Sequence, residues 1–418
     1  MHYFEYKGDE LYCEEVPIAE IASTIGTPFY LYSHRTLTQH YRVFDEAFHS
    51  IPHLVCFAVK ANSNLAILKL FAEMGGGADV VSGGELYRAL KAEVPPDRIV
   101  FAGVGKTRDE MAYALKSDIL MFNVESSQEL RLLDQVASSM GQKARVALRI
   151  NPDVDPNTHP YISTGLKKSK FGIDISLALE EYQLARALSN IEIIGIHQHI
   201  GSQITEVAPF VDALEKIAGL VESLHRLGLN IRYLDMGGGL GIIYNDEEPP
   251  MPQEFARALT GVIQGLDCIL ILEPGRVIVG NAGILVTRVL YIKRTPAKSF
   301  VVVDAGMNDL IRPSLYGSFH SILPVKRRPS APGLIADIVG PICESGDFLA
   351  KERSISEPEM GDLLAVMSAG AYCFTMASNY NSRPRPPEVM VKDSEFFVIK
   401  ERETYEDLVR GERIPDLL

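Results

Sequence analysis

Short apolar, β-branched runs recur along the first two thirds of the chain, and amphipathic stretches of helical spacing separate them. This alternation constrains the fold more than any other feature. Strands are predicted near 54–59 (LVCFAV), 78–81 (ADVV), 98–102 (RIVFA), 119–123 (ILMFN), 144–150 (ARVALRI), 193–199 (IIGIHQH), 231–236 (IRYLDM) and 268–272 (CILIL). Helical patterns fill the gaps, for example at 64–74, 84–93, 126–139, 177–188 and 208–227. Strands this apolar, joined through helices, indicate a parallel sheet buried on both faces. Eight such units fit a (β/α)8 TIM-type barrel better than an open doubly wound sheet, although alternation alone does not prove closure.

After about residue 280 the period changes. ILVTRVLYIKR and SFVVVDAG read as antiparallel β structure, and PVKRRPSAPG (324–333) is a turn-rich break. At the other end, PFYLYS (28–33) is also strand-like. The predicted organisation is a barrel over 35–280. A β-sandwich or β-barrel-like domain is built from 1–34 and 281–418. A chain of 418 residues is long enough for two cores.

Composition excludes several classes of function. A net charge of −13 leaves little to neutralise phosphates, so neither nucleic acid nor an anionic membrane surface is an expected partner. The one dense basic run, Lys326-Arg327-Arg328, lies among prolines and reads as a solvated loop. Five cysteines without a C-x-x-C pair argue against a disulfide framework or a zinc site, and point to a reducing, cytoplasmic compartment. The opening MHYFEYKGDELYCEE lacks the apolar segment of a signal peptide. No apolar run is long enough to span a bilayer.

In a barrel of this kind, chemistry sits at the carboxyl ends of the strands. Lys60 follows the first strand, HQHIGSQ (197–203) ends the sixth, GGGLG (237–241) follows the seventh, and EPGR (273–276) follows the eighth. The glycine run is not G-x-G-x-x-G, so a dinucleotide fingerprint fails. Its backbone can still approach an anion closely, and Ser202 adds a hydroxyl. A strand-end lysine ordinarily reaches solvent. Beside a phosphate site it is either a counter-ion or a Schiff-base amine, and pyridoxal 5'-phosphate explains both features together. Glu273 ordinarily pairs with Arg276. At a barrel mouth it can instead hold a pyridine nitrogen protonated. His197 and His199, two apart, are expected to face opposite ways and so to form no two-histidine metal pair. One can pack on a flat ring. Asp235 and Asp304 are strand-end acids to which pattern assigns no role.

The β domain carries DAGMNDLIRPSLY (304–316), GPICESGD (340–347) and AYCFTMASNYNSR (371–383). Arg312 and Tyr316 are spaced i, i+4 and can share a helical face, which suits a carboxylate clamp. An exposed turn is the ordinary alternative. Cys343 is ordinarily a buried small side chain; as a neutral thiol beside Glu344 it can donate a proton.

Together, VKAN around Lys60, HIGSQ, GGGLG, EPGR, CESGD and GAYCFTMASNYNSRPR resemble the alanine-racemase-like fold type of pyridoxal-phosphate enzymes. Within it the chain is similar to the diaminopimelate decarboxylase family over nearly its whole length. The resemblance implies pyridoxal 5'-phosphate as cofactor and meso-diaminopimelate as substrate, in the last step of lysine biosynthesis. It implies that Lys60 holds the cofactor and that His199 stacks on its ring. Ser202, Gly238, Gly239, Pro274, Gly275, Arg276 and Tyr372 would surround the cofactor, with Glu273 on its pyridine nitrogen. Arg276, Arg312 and Tyr316 would bind the distal carboxylate and Glu344 the distal amine, with Tyr372 also touching substrate. Cys343 would be the proton donor. It further implies a homodimer in which Cys343 and Glu344 reach the partner's site, and no metal.

Two rival readings differ from this one. A decarboxylase of ornithine or arginine would leave the RPSLY clamp without a distal carboxylate, and buried unpaired cations are costly. A non-catalytic cofactor-binding relative would be expected to lack Lys60, Cys343 or Glu344. The loop 151–174 is the longest candidate for a lid.

Overall fold

The computed structural model describes residues 2–156, 158–159, 162, 164–166 and 169–416. The chain divides into two compact units. One comprises Met1–Gln39, Tyr244–Asp246 and Val279–Leu418. The other comprises His40–Ile243 and Glu247–Ile278. These divisions fall at 39/40 and 278/279 rather than at 34/35 and 280/281, and Tyr244–Asp246 leaves the barrel's sequence span to join the first unit.

Eight parallel strands of the second unit close into a barrel. In chain order they are His53–Ala58, Gly77–Val80, Ile99–Phe101, Met121–Val124, Ala144–Asn151, Ile191–His197, Tyr233–Asp235 and Ile269–Leu272. Each pairs with the next, and closure comes from the eighth strand returning to the first, with Leu272 opposite Val55. The open-sheet alternative is therefore excluded. Nearly all of these residues are buried, because helices cover the outer face and side chains fill the inner one. Cys56, Val100, Met121, Ala147, Ile194 and Ile271, from six different strands, pack together in the interior. A two-residue strand, Ile173–Asp174, adds to the outside of the fifth.

The covering helices begin where hydroxyl side chains cap free backbone N–H groups. Ser82 accepts from Glu85 N–H, Ser126 from Glu129 N–H, and Thr107 forms a full capping box with Glu110. The helix Ser127–Met140 ends on Gly141 at φ +64°, a left-handed position that glycine adopts without strain.

The first unit is built around a seven-strand path. Its order is Phe348–Ser356, Gly333–Val339, Ser299–Val303, Gly283–Arg294, Phe29–Ser33, Glu388–Lys392 and Glu395–Lys400. Phe29–Ser33 lies between two C-terminal strands, so both chain ends build one sheet. The two segments read as antiparallel, Gly283–Arg294 and Ser299–Val303, do pair antiparallel with each other, but two other pairings of the sheet are parallel: Ser299–Val303 with Gly333–Val339, and Phe29–Ser33 with Glu388–Lys392. Local apolar pattern does not report strand direction, which long connections set. All five cysteines are free. Among the described residues, no helix is long and apolar enough to cross a membrane.

Candidate active site

At the barrel's C-terminal rim, the barrel-unit residues singled out in sequence, Lys60, His197, His199 and Glu273, come together. Lys60 lies in a short 3-10 turn directly after the first strand. Its ammonium forms an ion pair with Asp79, the fully buried third residue of the second strand, while about a third of the Lys60 side chain stays exposed. Asp79 carried no sequence signal beyond being a charge inside the apolar run GADVV. Burial, and then the neighbouring Glu273, push its carboxyl up to about 7, with Lys60 opposing them.

Glu273 follows the eighth strand and is 5% exposed. The ordinary reading paired it with Arg276; instead Arg276 donates to Ser202 Oγ at 3.0 Å. Glu273 Oε1 accepts from Asn123 Nδ2 at 3.4 Å, and its Oε2 lies 3.7 Å from His197 Nε2. Burial raises the Glu273 pKa, but His197 and Lys60 outweigh it, so the carboxyl is held below its usual range. The same Asn123 Nδ2 donates to Asp235 Oδ2 at 3.0 Å. One amide thus joins the ends of the fourth, seventh and eighth strands. Asn123 was missed because it reads as one polar residue in LMFNV; a polar residue at the end of a buried strand was its only signal.

Residues two apart on a strand share a face, contrary to the opposite-faces expectation; here the sixth strand ends at His197 and His199 lies beyond it. His197 is buried beside Glu273, and burial lowers its pKa against the opposing pull of Glu273. His199, beyond the strand end, accepts from Gly238 N–H through Nδ1 at 3.3 Å. Burial and the Arg149 and Lys60 cations lower its pKa as well.

The glycine run turns tightly against its neighbours. Gly239 has φ +123°, and a Cβ there would lie 2.5 Å from the Gly201 carbonyl; one on Gly238 would lie 2.1 Å from that of Glu273. Only glycine fits at either position. The next helix begins at Pro252, so the turn offers backbone N–H groups rather than a helix N-terminus. Gln203 ties this loop to the sixth strand's loop, donating to Ile242 O at 2.7 Å and accepting from Ile242 N–H at 3.2 Å. Pro274 O accepts from Ala58 N–H at 3.0 Å, which fixes 273–276 beside the Lys60 strand. This donor set suits pyridoxal 5'-phosphate: a lysine amine, a buried ionised carboxylate, a neutral histidine, and a glycine turn with Ser202 for a phosphate.

In the β unit, Arg312 and Tyr316 open and close one helical turn, Arg312–Tyr316. Arg312 is 5% exposed, its guanidinium 5.9 Å from the Tyr316 ring and 5.1 Å from that of Tyr244. Arg312 is buried, contrary to the exposed-turn alternative. Its Nη2 donates to Ser318 at 3.3 Å, while buried Nε donates to no group among the described residues. Tyr244 was not foreseen, because it sits in the sequence span of the barrel.

Cys343 is exposed, which corrects its ordinary reading as a buried side chain, and Glu344 is exposed beside it. Their loop is held through its backbone. Cys343 N–H donates to Asn381 Oδ1 at 3.0 Å, and Asp347 accepts from both Ile342 N–H and Met307 N–H at 2.6 Å. Glu344 lies beside Tyr380 and raises that phenol's pKa. Tyr372 is half-buried, with φ +56°. The 151–174 loop includes 157, 160–161, 163 and 167–168, which lie outside the described residues.

Residues 34–280 match the family described as pyridoxal-dependent decarboxylase, pyridoxal binding domain. The chain is 53% identical to a diaminopimelate decarboxylase of Aquifex aeolicus, over 97% of this chain and 96% of that one. It superposes on a Helicobacter pylori diaminopimelate decarboxylase complexed with L-lysine with a TM-score of 0.91, at 46% identity, covering 94% and 98% of the two chains. For the M. jannaschii enzyme in complex with L-lysine, the TM-score is 0.95 at 40% identity, covering 99% and 98%. A family match over most of the chain, on a barrel whose rim carries these groups, establishes that the chain belongs to the pyridoxal-dependent decarboxylases, alongside the diaminopimelate decarboxylases.

Proposed function

We propose that this chain decarboxylates meso-2,6-diaminopimelate to L-lysine and CO2, the last step of lysine biosynthesis by that route, as a cytoplasmic homodimer. Pyridoxal 5'-phosphate, when bound, supplies the electron sink for the pair left behind as CO2 departs. Lys60 is the amine that holds it. Glu273 keeps the proton on its pyridine nitrogen, and His199 packs on its ring. Ser202, Gly238, Gly239, Pro274, Gly275 and Arg276 surround its phosphate and ring, with Tyr372 touching cofactor and substrate. Cys343 returns a proton to the carbon that lost CO2. Glu344 binds the distal amine, and Arg276, Arg312 and Tyr316 bind the distal carboxylate. Cys343 and Glu344 serve the partner protomer's site.

The observation that carries the substrate assignment is Arg312. A buried guanidinium flanked by two tyrosine rings, with Nε unused among the described residues, wants an anion. Diaminopimelate brings a distal carboxylate there; ornithine and arginine do not.

The test is CO2 release by the cofactor-loaded enzyme from meso-diaminopimelate, with L-ornithine, L-arginine and L-lysine in parallel. Release from meso-diaminopimelate alone is expected. Release mainly from ornithine or arginine would keep the lysine chemistry and overturn the roles given to Arg312, Tyr316 and Glu344.

A further inference from the structure

Of the segment AYCFTMASNYNSR (371–383), the proposed reaction uses only Tyr372. The second half, 378–383, meets the loop that carries Cys343 and Glu344. Cys343 N–H donates to Asn381 Oδ1 at 3.0 Å. The bond falls on the backbone of the residue whose thiol is read as the proton donor.

Asn381 reaches that amide from an uncommon backbone conformation. It has φ +55° and ψ +28°, and Ser382 follows at φ +53°. The left-handed region is disfavoured for residues with a side chain, and asparagine tolerates it better than most. Such a turn persists where its surroundings hold it. Here both flanks are pinned. Ser378 N–H donates to Asn308 O at 2.8 Å, and Arg383 Nη2 donates to Asp304 O at 2.9 Å. Asn379 Nδ2 donates to Glu403 Oε2 at 2.6 Å and to Arg383 O at 3.1 Å. The same turn brings Tyr380 beside Glu344.

Other groups hold the two legs of the Cys343 loop. Asp347 accepts from Ile342 N–H, just before Cys343, and from Met307 N–H. Ser314 Oγ donates to Gly346 O at 2.5 Å, just after Glu344. Asn381 is the side chain that holds the apex. Cys343 is exposed, so the direction of its thiol is set by its backbone rather than by packing within the chain. A misplacement of about 1 Å at a reacting group can cost on the order of 100-fold in rate.

We propose that Asn381 is a positioning residue for the proton return: its side chain holds the Cys343 backbone and thereby aims the thiol at the carbon that lost CO2. The inference rests on the reading of Cys343 as the proton donor. Asn381 itself touches neither substrate nor cofactor in this role.

The test compares cofactor-loaded Asn381→Gly and Asn381→Asp with the wild-type enzyme. Glycine keeps the left-handed backbone and deletes the acceptor. Aspartate tolerates the same conformation and keeps an acceptor oxygen. Hydrogen exchange at single-residue resolution reads the Cys343 N–H directly. Asn381→Gly is expected to exchange that amide faster and to lose roughly 10–100-fold in kcat per loaded site, with KM nearly kept. The solvent deuterium isotope effect on kcat should grow, because proton return becomes slow. Asn381→Asp is expected to restore the protection and most of kcat. A merely structural role would lower the melting temperature or the fraction of loaded sites and leave kcat per loaded site unchanged. Wild-type kcat per loaded site in Asn381→Gly would overturn the proposal, as would a lost kcat with the Cys343 N–H exchanging as in wild type. Cys343→Ala separates the two readings. Wild-type turnover in Cys343→Ala would remove Cys343 as the donor. An inactive Cys343→Ala beside a fully active Asn381→Gly would overturn the role of Asn381 alone.

Discussion

The barrel rim and the loops of the β unit solve the same problem in opposite ways. At the rim, every charged group invoked for chemistry except Lys60 is almost wholly buried, and each has a partner inside the unit: Asp79 for Lys60, Asn123 for Glu273 and Ser202 for Arg276. In the β unit, Cys343 and Glu344 stand exposed on a loop ordered through its backbone, by Asp347 and Asn381. Buried polar groups are costly unless satisfied, and at the rim Asp79 Oδ1 and both His197 ring nitrogens make no hydrogen bond among the described residues. Exposed groups held on an ordered loop are suited to completing a site that arrives later. On the proposed reading, the residues that capture the cofactor lie mainly in the barrel, and most of those that select and protonate the substrate lie in the β unit, Arg276 excepted.

The largest expected effect tests that division. Lys60→Ala and Cys343→Ala are each expected to reduce turnover by orders of magnitude. If Cys343 serves the partner's site, mixing the two inactive variants under subunit exchange should restore about a quarter of wild-type activity, since half of the dimers then carry one intact site. Assay of the mixture checks this. No recovery, with exchange verified, would place Cys343 on its own protomer's site.

A smaller effect probes the clamp. Arg312→Lys keeps the charge but loses the planar fork and its stacking, and is expected to cost about 1.5–3 kcal/mol, roughly 10–100-fold in kcat/KM for meso-diaminopimelate. Cofactor affinity should not change, and a cofactor titration checks that. Smaller still is Tyr244→Leu. It removes a cation–π contact of about 0.5–2 kcal/mol, so KM is expected to rise severalfold with kcat nearly kept; steady-state kinetics against Tyr244→Phe would show whether the ring is what matters.

The same contrast explains what the sequence made legible. All eight barrel strands were placed within a few residues, because strands buried on both faces leave continuous apolar runs, and Lys60, His199, Gly239 and Glu273 stand out just beyond them. Asp79, Asn123 and Asp235 were either overlooked or left without a task. A single polar residue at a strand end looks alike whether it reaches water or meets another strand's side chain across the barrel, and only closure brings residues 79, 123, 235 and 273 together. Tyr244 was invisible for a related reason: it lies in the barrel's sequence span but packs in the β unit. Residue type alone favours burial for Cys343, the ordinary alternative; it is exposed on a loop that Asp347 and Asn381 hold through its backbone.

The central claim is that the barrel captures the cofactor through Lys60. Borohydride reduction of the holoenzyme, followed by peptide mass mapping, tests it most directly. A single pyridoxyl adduct on the peptide containing Lys60, absent from Lys60→Ala, is the expected result. An adduct on another lysine, such as the buried Lys106, or an adduct that persists in Lys60→Ala, would contradict it.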